Sequence, residues 1–115
     1  MNKRRRTCLH CILDDLEKLR DPIDKATALQ LIGKSQINLR KVADEEEEAL
    51  DNRPESFLWS TANDDMSENI SGLNEAADDL EVLAEQCQEL DMFDYEPVKS
   101  DVIKIITTIK RAIHR

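Results

Sequence analysis

Residues that favour sheets and tight turns are scarce in this sequence. Its 115 residues include two Gly, three Pro and four aromatics, while 36% are charged. A β-sandwich or barrel draws on frequent Gly and Pro turns and on aromatic, β-branched strands, so this balance argues for long helices or a coiled coil. No apolar run approaches the roughly eighteen residues that a membrane-spanning helix needs. The opening MNKRRR leads into CLHCILDDLEKL, where charges interrupt any signal-peptide apolar region. A soluble cytoplasmic protein without membrane contact is expected. Cys8, Cys11 and Cys87 are odd in number, which predicts free thiols rather than a disulfide framework. At this length one domain, 1–115, with one core is the expectation.

Helical periodicity fills most of the chain, at about 3–20, 22–51, 64–90 and 98–114. Leu9, Ile12, Leu16 and Leu19 form the first stripe. Asp21-Pro22 then either caps and starts a second helix, with Asp24 in its first turn, or kinks one continuous helix. Leu29, Ile32, Gln36, Leu39, Ala43, Glu46 and Leu50 make a heptad seam with polar layers at Gln36 and Glu46. Met66, Ile70, Leu73, Ala77, Leu80, Ala84 and Cys87 make a second seam, with Asn63, Asp64 or Asp65 as possible caps. In the last segment Val98, Val102, Ile105, Ile109 and Ala112 share a stripe. VIKIITTI is β-branched enough for a strand, but a lone strand has no partner, so a helix is predicted.

The two long seams are mirror images about residue 58, pairing 50 with 66, 46 with 70, 39 with 77 and 29 with 87. That symmetry predicts an antiparallel hairpin turning at NRPESF, where Pro54 ends the helix and Asp51-Asn52 supply turn chemistry. The outer stripes nearly continue the mirror, 19 with 98 and 9 with 109. An extended hairpin of about 70 Å and a four-helix bundle both satisfy the pattern. Leu31, Ile37, Ile103 and Ile106 lie off the seams. They call for further helices or a second subunit, so the fold expected is an all-α, coiled-coil-like hairpin or bundle that forms a homo-oligomer.

Charge is segregated: the segments 1–20, 21–43, 44–96 and 97–115 carry +3, +2, −18 and +4. Basic ends lying along the acidic middle within one molecule explain this most simply. Lys3, Arg4, Arg5 and Arg6, with the basic C-terminal segment, are possible phosphate contacts, so nucleic acid is a possible but not favoured partner. The aromatics Phe57, Trp59, Phe93 and Tyr95 all flank the third helix, either plugging the ends of the bundle or anchoring another protein. CLHC at 8–11 offers metal-ligand types without a second close-spaced pair, and His10 points away from Cys11 on a helix, so no metal is expected. DEEEEALD is neither a calcium loop nor part of a Glu-x-x-His pair, and no phosphate loop or nucleophile elbow occurs. The expectation is a protein with no catalytic residues and no cofactor, working as an interaction or assembly protein.

Two stretches, KVADEEEEALDNRPESFLWS and MSENISGLNEAADDLEVLAEQ, resemble small uncharacterised helical proteins of phages and prophages of low-GC Gram-positive bacteria. Asn52, Pro54, Glu55 and Ser56 match the Asn-x-Pro-Glu-Ser corner of that group, and Arg53 stands where the pattern usually has an apolar residue. The resemblance covers under half of the chain. It implies a helical hairpin of mobile-element origin and no particular activity.

Overall fold

A computed structural model describes residues 1–53 and 61–115. Among the described residues there are four α-helices and no strand: α1 (Lys3–Glu17), α2 (Lys25–Asp51), α3 (Thr61–Gln88) and α4 (Lys99–His114). Single 3-10 turns at Lys18–Arg20 and Glu96–Val98 adjoin the two outer helices. The corner residues from Pro54 to Ser60, including Phe57 and Trp59, lie outside the described residues.

Local chemistry accounts for each start and stop. Asn2 caps α1, its Oδ1 accepting from the Arg5 N–H at 2.9 Å. The helix ends before Asp21, whose extended backbone (ψ 156°) is the conformation that a following proline imposes. Pro22 therefore neither opens α2 nor kinks a continuous helix. The cap of α2 is Asp24 instead, accepting from the Thr27 N–H at 2.7 Å. The Thr27 side chain, and then this backbone N–H, hold the Asp24 carboxyl below the usual carboxylate range by hydrogen bonding, so the capping charge is present above that range and is lost as pH falls through its own pKa. α3 begins at Thr61, a few residues earlier than expected, and Asn63 is a buried helical residue rather than a cap. The β-branched run in α4 is helical. Thr107 and Thr108 donate their hydroxyls to the carbonyls of Ile103 and Lys104, at 2.8 and 3.1 Å, while Ile105, Ile106, Ile109 and Ile113 are buried on the inner side.

α2 and α3 pack antiparallel, as the mirrored seams require. Arg40 reaches Asp78 at 2.8 Å and Lys25 donates to the Gln88 carbonyl at 2.9 Å, both close to the mirror about residue 58. Ile32, Leu39, Ala43, Glu46, Met66, Leu73, Ala77, Leu80 and Cys87 are buried along the seam. Gln36 is half-buried, so of its two expected polar layers only Glu46 is enclosed.

Each long helix also carries a second buried stripe in steps of seven, Ala28, Ser35 and Val42 on α2 and Asn69, Ala76 and Leu83 on α3. α1 covers the first and α4 the second, and these two outer helices touch each other. Leu9, Ile12, Leu16 and Leu19 then meet Val98, Val102, Ile105 and Ile109 in one continuous core. The overall extents, 54 × 21 × 20 Å, are those of a four-helix bundle and too short for the extended hairpin. Ile106 is buried and Leu31 packs against the core, so the chain itself covers two of the four off-seam residues; Ile37 and Ile103 stay exposed.

The two glycines differ in surroundings. A Cβ at Gly33 would meet nothing within 4 Å, whereas one at Gly72 would lie 3.3 Å from the Thr108 methyl. Gly33→Ala is expected to stabilise by about 0.5–1 kcal/mol through helix propensity, and Gly72→Ala by distinctly less because α4 must give way. Urea unfolding of both variants measures the difference.

Candidate functional site

Two ends of the bundle concentrate the residues singled out by the sequence. At the corner end the N-terminus of α1 lies beside the C-terminus of α4. Arg4 pairs with Glu45 and Arg5 with Glu46, each at 2.7 Å, and Arg115 reaches Glu68 at 3.3 Å and Asn69 at 3.2 Å. The basic ends thus lie along the acidic helices. Of the four possible phosphate contacts, Arg4 and Arg5 are held by carboxylates, while Lys3 and Arg6 are exposed and make no ion pair among the described residues.

Among the described residues, Arg5 and Glu46 form the one ion pair with both side chains largely enclosed. Their side chains are 12% and 0% exposed, and among the described residues Glu46 Oε2 has no hydrogen-bond partner. A carboxylate so enclosed depends on the guanidinium for its charge balance. Arg5 accordingly aligns α1 on α2 rather than standing free for a phosphate. Arg5→Met is expected to destabilise by about 3 kcal/mol, because it leaves the buried carboxylate unpaired. Adding Glu46→Leu should restore stability to within about 1 kcal/mol of the parent, a comparison made by thermal and denaturant unfolding.

The cysteines are dispersed. Cys11 and His10 are exposed on α1, Cys8 is half-buried beside Lys41 and Glu45, and Cys87 is buried at the far end of α3. Among the described residues no group of three or more His, Cys, Asp or Glu is placed to hold a metal ion. Burial pushes the thiols of Cys8 and Cys87 up, with Cys11 and Glu45 adding to the effect at Cys8. Folding therefore favours the protonated thiols. Their contribution to stability is present below the ordinary thiol range, near about 8.5, and declines as pH rises through the folded values. Alkylation near neutral pH should modify Cys11 first, Cys8 more slowly and Cys87 only on unfolding, as read by mass spectrometry of the intact protein.

At the opposite end, the connections between α1 and α2 and between α3 and α4 run side by side. Phe93 and Tyr95 are half-buried here and pack on the core, so they do plug this end. Their neighbours, however, are exposed: Met92 is 77% and Leu90 43% accessible. Two adjoining grooves of about 510 and 350 Å³ share Ile23, Met92 and Phe93 in their walls. Leu19, Pro22 and Tyr95 extend the larger one, and Ala26 the smaller. Among the described residues the other exposed large aliphatics, Ile37, Val82 and Ile103, stand singly on three different helices. A cleft of about 180 Å³ between α3 and α4 is smaller, and its Lys104 already pairs with Asp79 at 3.6 Å. Their aromatic character in a connection pointed to Phe93 and Tyr95, whereas nothing in the sequence joined Met92 and Ile23 to them. Only the juxtaposition of the two connections joins Ile23, Met92 and Phe93 into one surface.

No protein-family model matches the chain, and no match was found among curated proteins or solved structures. Among the described residues no helix is long and apolar enough to cross a membrane.

Proposed function

We propose that this chain is a non-enzymatic, all-helical interaction module that docks another protein on the loop end of its bundle. The observation that carries this reading is the gathering of Ile23, Met92 and Phe93 around two adjoining grooves, with Met92 largely exposed. Exposed Met and half-buried aromatics beside a concave surface are the usual composition of an interface core. The module acts in the cytoplasm, where its three thiols remain reduced, and the corner resemblance is in keeping with a phage or prophage origin. Leu31 and Ile106 are packed within the bundle and do not call for self-association, while Ile37 and Ile103 remain exposed.

A second reading, nucleic-acid binding, draws on the cations of the corner end. Lys3, Arg6, Lys110 and Arg111 are exposed and make no ion pair among the described residues. The antiparallel contact of α1 with α4 brings them to the same end. Opposing it, the protein carries −9 overall, and acidic Glu47, Glu48 and Asp64 are exposed at that same end.

One experiment weighs both. A photo-crosslinking residue placed at Met92 in the native host should give a discrete protein adduct that is lost when Phe93 is replaced by Asp. The same residue placed at Lys110 should give none. Nucleic acid captured from position 110, with nothing captured from 92, would overturn the ranking.

A further inference from the structure

The loop-end surface is apolar in its floor and acidic around its rim. Ile23, Met92 and Phe93 are common to both grooves, which makes them one trough crossing from the first connection to the second. Five carboxylates border it, Asp21, Asp24, Asp91, Asp94 and Glu96, against two bases, Arg20 and Lys25. Part of this charge is already engaged. Lys25 Nζ donates to the Gln88 carbonyl, Asp24 caps α2, and Asp94 Oδ1 accepts from the Glu96 N–H at 3.2 Å. Asp21, Asp91 and Glu96 make no ion pair among the described residues, and all three are exposed. The free carboxylates thus exceed the one free base, Arg20, and they stand around apolar side chains that water solvates poorly.

From this pairing we infer that the occupant of the trough is a basic protein segment carrying apolar side chains, a deduction that rests on the loop-end docking reading above. The apolar side chains enter on either side of Met92, and Lys or Arg residues flanking them meet Asp21, Asp91 and Glu96. An acidic or neutral segment of the same apolar content gains the burial without the ionic contacts and meets repulsion or nothing at the rim. Charge matching of this kind sets partner choice and association rate more than it sets affinity. A second copy of the chain is a poor occupant, because its own exposed cations at the corner end stand among Glu47, Glu48 and Asp64.

The test uses the full chain and three fluorescein-labelled amphipathic peptides with one apolar face in common, their polar face built from Lys and Arg, from Gln, or from Glu. Fluorescence anisotropy should show the basic peptide binding at least tenfold more tightly than the Gln peptide, with the Glu peptide unbound. Reversing Asp91 and Glu96 to Lys should weaken the basic peptide at least tenfold and leave the Gln peptide unchanged. Met92→Asp should weaken both peptides, and Met92→Gln, which alters the surface least, should weaken them in the same direction. Reversing Glu47 and Glu48 at the opposite end should change binding less than twofold. Far-ultraviolet circular dichroism confirms that each variant is folded.

Equal affinity for the basic and Gln peptides, with the response to Met92→Asp retained, would overturn the basic occupant and leave the docking surface standing. Dimerisation of the protein through Met92, competing with the peptides, would overturn the inference in the same way. Equal weakening by the reversal at Glu47 and Glu48 would reduce the binding to general attraction and overturn it also. No response of any peptide to Met92→Asp would overturn both the occupant and the docking reading.

Discussion

Two long helices packed antiparallel can hide one stripe on each, and in this protein each carries two. The seam from Ile32 to Glu46 against Ile70 to Cys87 closes the hairpin, but it leaves Ala28, Ser35 and Val42 on one arm and Asn69, Ala76 and Leu83 on the other facing outward. Those second stripes are the constraint on which the remaining architecture depends. They demand a cover, and the chain supplies it from both of its ends as α1 and α4. The stripe on α2 is made of small residues, which lets α1 approach closely, and on α3 Gly72 does the same for the Thr108 methyl of α4.

Once the outer helices are required, their alignment becomes the next problem, because apolar stripes tolerate sliding. Arg5 with Glu46 addresses this at one position, since a buried carboxylate can meet its guanidinium in only one register. Surface pairs such as Arg4 with Glu45 on α1 and α2, and Lys104 with Glu75 and Arg115 with Glu68 at α4 and α3, set a base of a terminal segment against an acid of the hairpin. Individually they contribute little. Together they explain the segregation of charge along the sequence: basic segments lie at the ends because the ends fold back on an acidic hairpin.

The same topology makes the two ends of the bundle unlike. The corner end receives both termini, and much of its positive charge is spent on neighbouring carboxylates. At the other end two irregular connections meet, each too short and too polar to continue a helix, and the apolar residues they contain have only each other to cover them. Phe93 and Tyr95 turn inward and seal the core, while Leu90 and Met92 stay in solvent within a ring of acids. A packed bundle offers binding groups mainly where its regular packing stops, and this is the end where side chains other than charged ones are left over.

Much of this fold was legible in the sequence, because heptad spacing is a local property that the backbone converts directly into a buried stripe. Leu9 to Leu19, Ile32 to Glu46, Met66 to Cys87 and Val102 to Ala112 follow from spacing alone, as does the antiparallel sense of the hairpin from its mirror symmetry. Sequence places the cap of α2 at Asp21, with Asp24 in the first turn, whereas the cap is Asp24, because only geometry shows which carboxylate reaches a free N–H. Whether the outer helices extend the hairpin or fold onto it, whether Arg5 is a ligand for phosphate or a partner for Glu46, and whether Met92 meets Ile23 were decided by tertiary structure. Each depends on residues dozens of positions apart sharing one place, and periodicity within a segment carries no information about what lies across from it.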